Sequence, residues 1–145
     1  MAEIAVLQAN ELTLSLARRF SFDWKKEVQY DIYKLFLKES GLILGLMSLE
    51  VVRPEWRIEI RLLESARENI GKHKMYDRVA GCLIAYACKE SFKWGFGGFV
   101  SLVPKTELIS YYQQAYQFFP MGRHLAIEGG GAHWLIEKYL QNSNR

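Results

Sequence analysis

Along the chain, hydrophobic and polar positions switch between a period of two and a period near 3.6, and the switches mark out the elements. Residues 4–8 read as a short strand, and 11–26 as a brief, irregular helical region containing Phe20, Phe22 and Trp24. Residues 28–37 (VQYDIYKLFL) and 42–52 (LILGLMSLEVV) have strand character, with Ser40-Gly41 as the turn of a hairpin. Pro54 punctuates, and 56–65 then alternates: Ile58, Ile60 and Leu62 on one face, Arg57, Glu59 and Arg61 on the other. From 79 to 94 the spacing is helical, with Val79, Leu83, Tyr86 and Ala87 sharing a stripe and Lys89, Glu90 and Lys93 turned to solvent. Gly95 supplies the stop. Residues 99–103 (FVSLV) form a short apolar strand ended by Pro104, and 106–116 a helix capped by Thr106. Residues 118–128 read as one final strand, Gly129-Gly130-Gly131 as a flexible turn, and 132–141 as a closing amphipathic helix.

A strand-helix-strand unit with parallel strands, set among antiparallel hairpins, predicts a mixed sheet with helices on its faces, an α+β (mixed α/β) fold. In such sheets a ligand sits where strand ends meet a helix N-terminus. Here that place is the basic stretch Gly71-Lys72-His73-Lys74-Met75-Tyr76-Asp77-Arg78-Val79-Ala80-Gly81, ahead of a helix expected to start near Arg78. Unpaired N–H groups and the positive end of the helix dipole favour an anion, phosphate above all. A surface loop that is simply rich in Lys is the alternative.

Composition narrows the class. The 145 residues are most economically one domain, 1–145, and half of them are apolar and 14% aromatic, which argues against disorder. The net charge of +3, with basic and acidic residues interleaved, does not point to a nucleic-acid binder. No basic region followed by an apolar run opens the chain, and no apolar stretch approaches the roughly 20 residues of a membrane span, so a cytoplasmic protein is expected. Cys82 and Cys88 fall on one helix about 9 Å apart along its axis, too far to bridge, and read as buried apolar residues. His73, His124 and His133 show no metal spacing, and neither a Gly-x-Ser-x-Gly elbow nor a nucleotide P-loop is present.

Four features then combine: the strand from Ile58; Arg78-Val79-Ala80-Gly81-Cys82-Leu83-Ile84 at a helix start; the strand in Gly95-Phe96-Gly97-Gly98-Phe99-Val100-Ser101-Leu102-Val103; and Leu108-Ile109-Ser110-Tyr111-Tyr112-Gln113 on the next helix. Together they resemble the acyl-CoA-binding core of the GNAT N-acetyltransferase superfamily. The middle segment fits the end of that family's (Gln/Arg)-x-x-Gly-x-(Gly/Ala) loop. Two departures stand out: Met75 where the family has Gln or Arg, and Arg78 where it has the first Gly, leaving Ala80 to keep the motif.

The resemblance implies a three-layer GNAT-like fold, acetyl-CoA as co-substrate, and an amine acceptor that is a small molecule or a protein. From charge and the lack of a long apolar run, no nucleic-acid or membrane partner is expected. Pantetheine would lie in a gap between splayed strands against the backbone of Leu62, Leu63, Glu64 and Ser65. The pyrophosphate would meet Arg78, Val79, Ala80, Gly81 and Cys82, with Lys72, His73 and Lys74 reaching the 3′-phosphate. Acyl transfer needs a base for the ammonium and an acid for the departing thiolate. Tyr112 matches the family's general acid; Glu59 is the base candidate and Glu64 the second choice; Lys105 stands where many relatives have Asn. Few residues separate the first two strands, so the polar face bearing Glu59 and Arg61 is expected to be open, or covered by a second subunit with Phe20, Phe22 and Trp24 as anchors. A GNAT-like binding or regulatory module without turnover is the rival reading, and Arg78 favours it.

Overall fold

The computed structural model describes residues 1–69, 73–104 and 108–141. Among these, seven strands form one sheet: β1 (Ala2–Val6), β2 (Asp31–Leu37), β3 (Ile43–Val52), β4 (Arg57–Ser65), β5 (Val100–Leu102), β6 (Phe119–Met121) and β7 (His124–Ile127). Their spatial order is β1-β2-β3-β4-β5-β7-β6. All neighbours are antiparallel except β4 and β5, which are parallel because the 21-residue helix α2 (His73–Lys93) carries the chain back between them. Shorter helices are α1 (Leu14–Ala17), α3 (Ile109–Tyr116) and α4 (Gly129–Ile136), the last running on into a π turn, Glu137–Gln141.

The sheet is buried on both faces, so each strand divides its side chains between two cores. Tyr33, Leu35, Met47, Leu49, Ile58, Ile60, Val100 and Leu102 pack with Val79, Leu83, Ile84 and Ala87 of α2. On the opposite face, Leu16, Phe20 and Trp24 pack with Leu7, Ile32, Ile43 and Leu46. These are the three layers expected from the element order. Phe20 and Trp24 therefore belong to the chain's own second core, and of the three aromatic anchors only Phe22 is exposed.

Close approach explains two glycines. A Cβ on Gly45 would lie 2.5 Å from Val79 Cγ1, so the glycine lets α2 lie down on β3. A Cβ on Gly81 would come within 2.3 Å of the Tyr139 ring, which covers α2 at that point. Gly81 is thus a packing glycine on the outer side of the helix.

Four expectations need correction. Helix α2 begins at His73, not near Arg78. Its first turns are held by tertiary contacts: Tyr76 packs on Tyr111, and the Asp77 carboxylate accepts hydrogen bonds from Tyr111 and Tyr139. Residues 118–128 make two strands, β6 and β7, because Gly122 takes the left-handed conformation (φ 61°) that the turn between them requires. The triple glycine opens α4, where burial of Ala132 and Leu135 outweighs poor helix propensity. Finally, Leu62 packs with the second core while Ile58 and Ile60 pack under α2, because the alternation of β4 is broken by an extra residue at Arg61.

The contrast between packing and free glycines is testable. Gly81→Ala is expected to destabilise the protein by about 1–3 kcal/mol through overpacking against Tyr139. Gly130→Ala, with nothing within 4 Å of its new methyl, is expected to be neutral or stabilising by up to about 1 kcal/mol. Urea unfolding of both variants checks this; equal midpoints would contradict it.

Candidate functional site

The parallel ladder of β4 and β5 is short. It pairs Ile58 with Val100, Glu59 with Ser101 and Ile60 with Leu102, and there it stops, although β4 continues to Ser65. Two local features part the strands. On β4, the register with β3 passes from Ile60↔Leu49 to Leu62↔Ser48, leaving Arg61 as a bulge residue that bends and twists the strand. On the β5 side, Pro104 has no N–H with which to extend a ladder. Between the diverging strands lies a cleft of about 410 Å³, walled by Leu62, Leu63, Glu64 and Ser65 on one side and by Val103, Leu108 and Tyr112 on the other. Tyr76 of α2 closes one end, and Ser21 and Phe22 the opposite face.

Tyr112 is buried in α3, and it shares the lining of the cleft with Tyr76 of α2. Burial first, then the neighbouring tyrosines, pushes its hydroxyl far above the ordinary value of 10, so it keeps its proton at neutral pH. Tyr111 turns elsewhere: its hydroxyl donates to Asp77 Oδ1 at 2.7 Å. Tyr139 donates to Asp77 Oδ2 at 3.2 Å, and Tyr116 to the Asp77 carbonyl at 3.1 Å. The Asp77 carboxylate thus ties α2, α3 and the C-terminal turn into one tyrosine cluster against which Tyr112 is packed.

The two candidate bases occupy different settings. Glu64 lies in the cleft wall, but its oxygens accept hydrogen bonds from the backbone N–H groups of Ser21 and Phe22 and from the Trp24 indole at 3.0 Å. Its work is to strap the segment after α1 across the cleft. Glu59 sits one ladder step below the parting point, on the face away from α2, and is not part of the cleft wall. Its Oε1 accepts from Arg57 and from Ser101 Oγ at 2.6 Å, and His124 Nε2 lies 3.3 Å away. Beside it, Arg61 binds Glu27 at 2.9 Å and stacks on Tyr30, with the cation 3.8 Å from the ring centroid. Glu27 also accepts from Ser48 Oγ at 2.8 Å. The polar face is therefore partly covered by the chain's own residues Trp24–Glu27.

The residues expected to hold the pyrophosphate fall outside the cleft. Residues 78–82 lie inside α2, where their backbone N–H groups are spent on the helix, so the free N–H groups belong to the turn beginning at His73. Arg78, Val79 and Cys82 line a separate groove of about 860 Å³ against β1 and β2. Ala80 is buried, and Gly81 lies under Tyr139. Lys72, Lys105 and Thr106, together with the side chains of His73 and Lys74, lie outside the described residues. Cys82 and Cys88 are buried, and burial raises both thiols, Cys88 to about 12. The structure thus brings Tyr112 together with Leu62, Leu63, Glu64 and Ser65, and keeps Arg78, Val79 and Cys82 apart. Sequence reasoning missed Tyr76, Asp77, Ser101 and His124 as members of the site. The alternation of β4 marks Glu59's face, but the β5–β7 register that delivers His124 leaves no local mark.

No family model matches the sequence, and no curated protein is similar to it. Solved structures are. An IAA acetyltransferase from Bacillus cereus superposes with a TM-score of 0.58 at 16% identity, covering 88% of this chain and 99% of the other. A variant of the spermidine N-acetyltransferase SpeG from Vibrio cholerae gives 0.62 at 16% identity, covering 98% of each chain. The AtaTR complex bound with acetyl-CoA gives 0.64 at 12% identity, covering 92% and 97%. The fold is that of the GNAT N-acetyltransferases. No helix among the described residues is long and apolar enough to cross a membrane.

The polar face makes a pH prediction. Burial alone would raise the Glu27 carboxyl, but hydrogen bonds from Arg61 and Ser48 outweigh it and hold the group below its ordinary 4.5. A depressed carboxyl contributes stability that is complete above about pH 4.5 and is lost as the pH falls through the lower folded value. Glu27→Gln is expected to cost about 1–3 kcal/mol at pH 7 and to lose less than the wild type between pH 7 and pH 3. Denaturant midpoints at the two pH values check this; parallel losses would contradict it.

Proposed function

We propose that the chain is an acetyl-CoA-dependent N-acetyltransferase that moves the acetyl group to a primary amine by direct attack on the thioester. The observation that carries this reading is the cleft itself: the β4–β5 ladder ends at Ile60 and Leu102 while the edge of β4 runs on along the cleft, and Tyr112 lines the far side. An extended chain carrying amide groups, such as pantetheine, can complete that edge as a strand would. The acetyl-CoA in the AtaTR structure supports the same assignment for this fold. The phosphates then fall towards the first turn of α2, where the helix N–H groups lack intrahelical partners.

In this reading Leu62, Leu63, Glu64 and Ser65 hold the pantetheine through their backbone, and the Tyr112 hydroxyl faces the sulfur. The amine nitrogen attacks the carbonyl carbon, a C–N bond forms, and the C–S bond breaks. Because burial keeps Tyr112 protonated, it gives up its proton only as the sulfur gathers negative charge, and it recovers one from the nitrogen. The acceptor enters from the face of Glu59 and Arg61. Neighbours of this fold are named for IAA and for spermidine, and an amine is the acceptor class proposed here. A second reading, acetyl-CoA binding without turnover, draws on Arg78 standing in the family's glycine position inside α2.

Ligand at 100 times its dissociation constant stabilises a protein by about 2.7 kcal/mol, so a thermal-shift titration reads acetyl-CoA binding directly. A rise in Tm with acetyl-CoA, together with thiol release in the presence of an amine, is expected. No shift at millimolar acetyl-CoA would overturn the assignment. Tyr112→Phe is expected to lower kcat by about 10²–10⁴-fold and leave acetyl-CoA affinity nearly unchanged. A Phe variant with wild-type turnover would remove the residue from the mechanism.

A further inference from the structure

We infer that His124 is the base that takes the acceptor ammonium's proton, and that Glu59 is the carboxylate that orients its ring; this rests on the acetyl-transfer reading above. His124 opens β7. In the antiparallel β5–β7 ladder Ser101 faces Ala126 and Leu102 faces Leu125, so the next step of the same register sets His124 beside Val103. Val103 lines the cleft. Strand alternation puts Glu59, Ser101 and His124 on one face of the sheet, and the contacts agree: Ser101 Oγ donates to Glu59 Oε1 at 2.6 Å, and His124 Nε2 lies 3.3 Å from the same oxygen.

That oxygen is crowded with donors. Arg57 Nη1 and Ser101 Oγ both donate to it, and Arg57 Nη1 also donates to Ser101 Oγ at 2.6 Å. Two donors on this oxygen fix the carboxylate in place beside the imidazole. In the proposed pairing the Nε2 that lies beside the carboxylate carries the hydrogen, which leaves the Nδ1 lone pair for the ammonium. The His124 side chain is 28% exposed, so an acceptor entering beside Val103 can reach it. The charged groups facing this imidazole are Glu59 and, through the same carboxylate, Arg57, both from β4; on its own hairpin Arg123 is exposed and Met121 stands opposite. His133 is engaged elsewhere, 3.4 Å from Glu137 on the exposed side of the C-terminal helix.

The protons balance. The acceptor ammonium gives one proton to His124 Nδ1, which makes an imidazolium held by Glu59. The freed nitrogen lone pair attacks the thioester carbonyl carbon. As the C–S bond breaks, the sulfur takes the Tyr112 proton, Tyr112 is reprotonated from the new amide nitrogen, and His124 releases its proton to water. Amide, neutral thiol and one solvent proton are the products. Glu59 touches none of the reacting atoms and is a positioning residue.

The test uses the full chain with acetyl-CoA and three acceptor probes: benzylamine, spermidine and a lysine-containing peptide. His124→Ala is expected to lower kcat by about 10²–10⁴-fold with little change in the KM for acetyl-CoA, and tens of millimolar imidazole should restore part of the rate. Glu59→Gln should lower kcat less, without imidazole rescue. An Ala variant with wild-type kcat, or a loss that imidazole fails to restore, overturns the base role. If the wild type binds acetyl-CoA but acetylates none of the probes, the transfer reading falls and the base role with it. Nitrogen-15 NMR of the imidazole separates the two failures: the Nε2–H tautomer at His124 is expected, becoming a mixture in Glu59→Gln, and an Nδ1–H tautomer in the wild type would overturn the pairing even in an active enzyme.

Discussion

β4 and β5 share a ladder of three residue pairs and then separate, and the cleft is built around that parting. The parting is built into β4 by one extra residue. Arg61 cannot simply revert to regular pairing, because its guanidinium is bound by Glu27 and lies over the Tyr30 ring, and Leu62 beyond it is already packed in the second core. A bulge held at both side chains fixes the direction in which the strand leaves its partner. The same step turns the side chains of Leu62 and its successors over, so the cleft wall presents backbone where the strand below it presents paired amides.

The two faces of the sheet meet at that point with different chemistry. On the α2 face, Asp77 gathers Tyr111, Tyr116 and Tyr139, and the resulting cluster holds Tyr112 against the cleft. On the other face, Glu59 joins three strands through Arg57, Ser101 and His124. Ile60 and Leu102, the last pair of the ladder, form the apolar floor between them. A donor set on one side and an acceptor set on the other is the division of labour that the proposed acyl transfer from a thioester to an amine requires.

Much of this arrangement was legible in the chain. The alternation from Ile58 and the helical stripe from Val79 announce the parallel unit, and the resemblance, rather than the helical spacing, picks out Tyr112 on the helix after it. Where reading failed, the cause was tertiary. Helix α2 runs back to His73 because Tyr76 and Asp77 find partners on α3 and at Tyr139, more than 30 residues away in sequence. That shift moves Arg78, Val79 and Cys82 from a helix start into a helix interior, and gives Gly81 to packing. The bulge is invisible because Arg61 continues the apolar-polar alternation; only pairing with β3 shows that the register slips. His124 is separated from Glu59 by 65 positions, and only the strand order β4-β5-β7 brings the two together.

Backbone amide chemical shifts during an acetyl-CoA titration test the central claim most directly, because they report where the ligand lies without requiring turnover. The account predicts that the perturbed amides cluster at Leu62, Leu63, Glu64 and Ser65, at Tyr76 and Tyr112, and at the start of α2. Perturbations confined to the groove of Arg78, Val79 and Cys82 against β1, with the residues of the cleft unmoved, would contradict it.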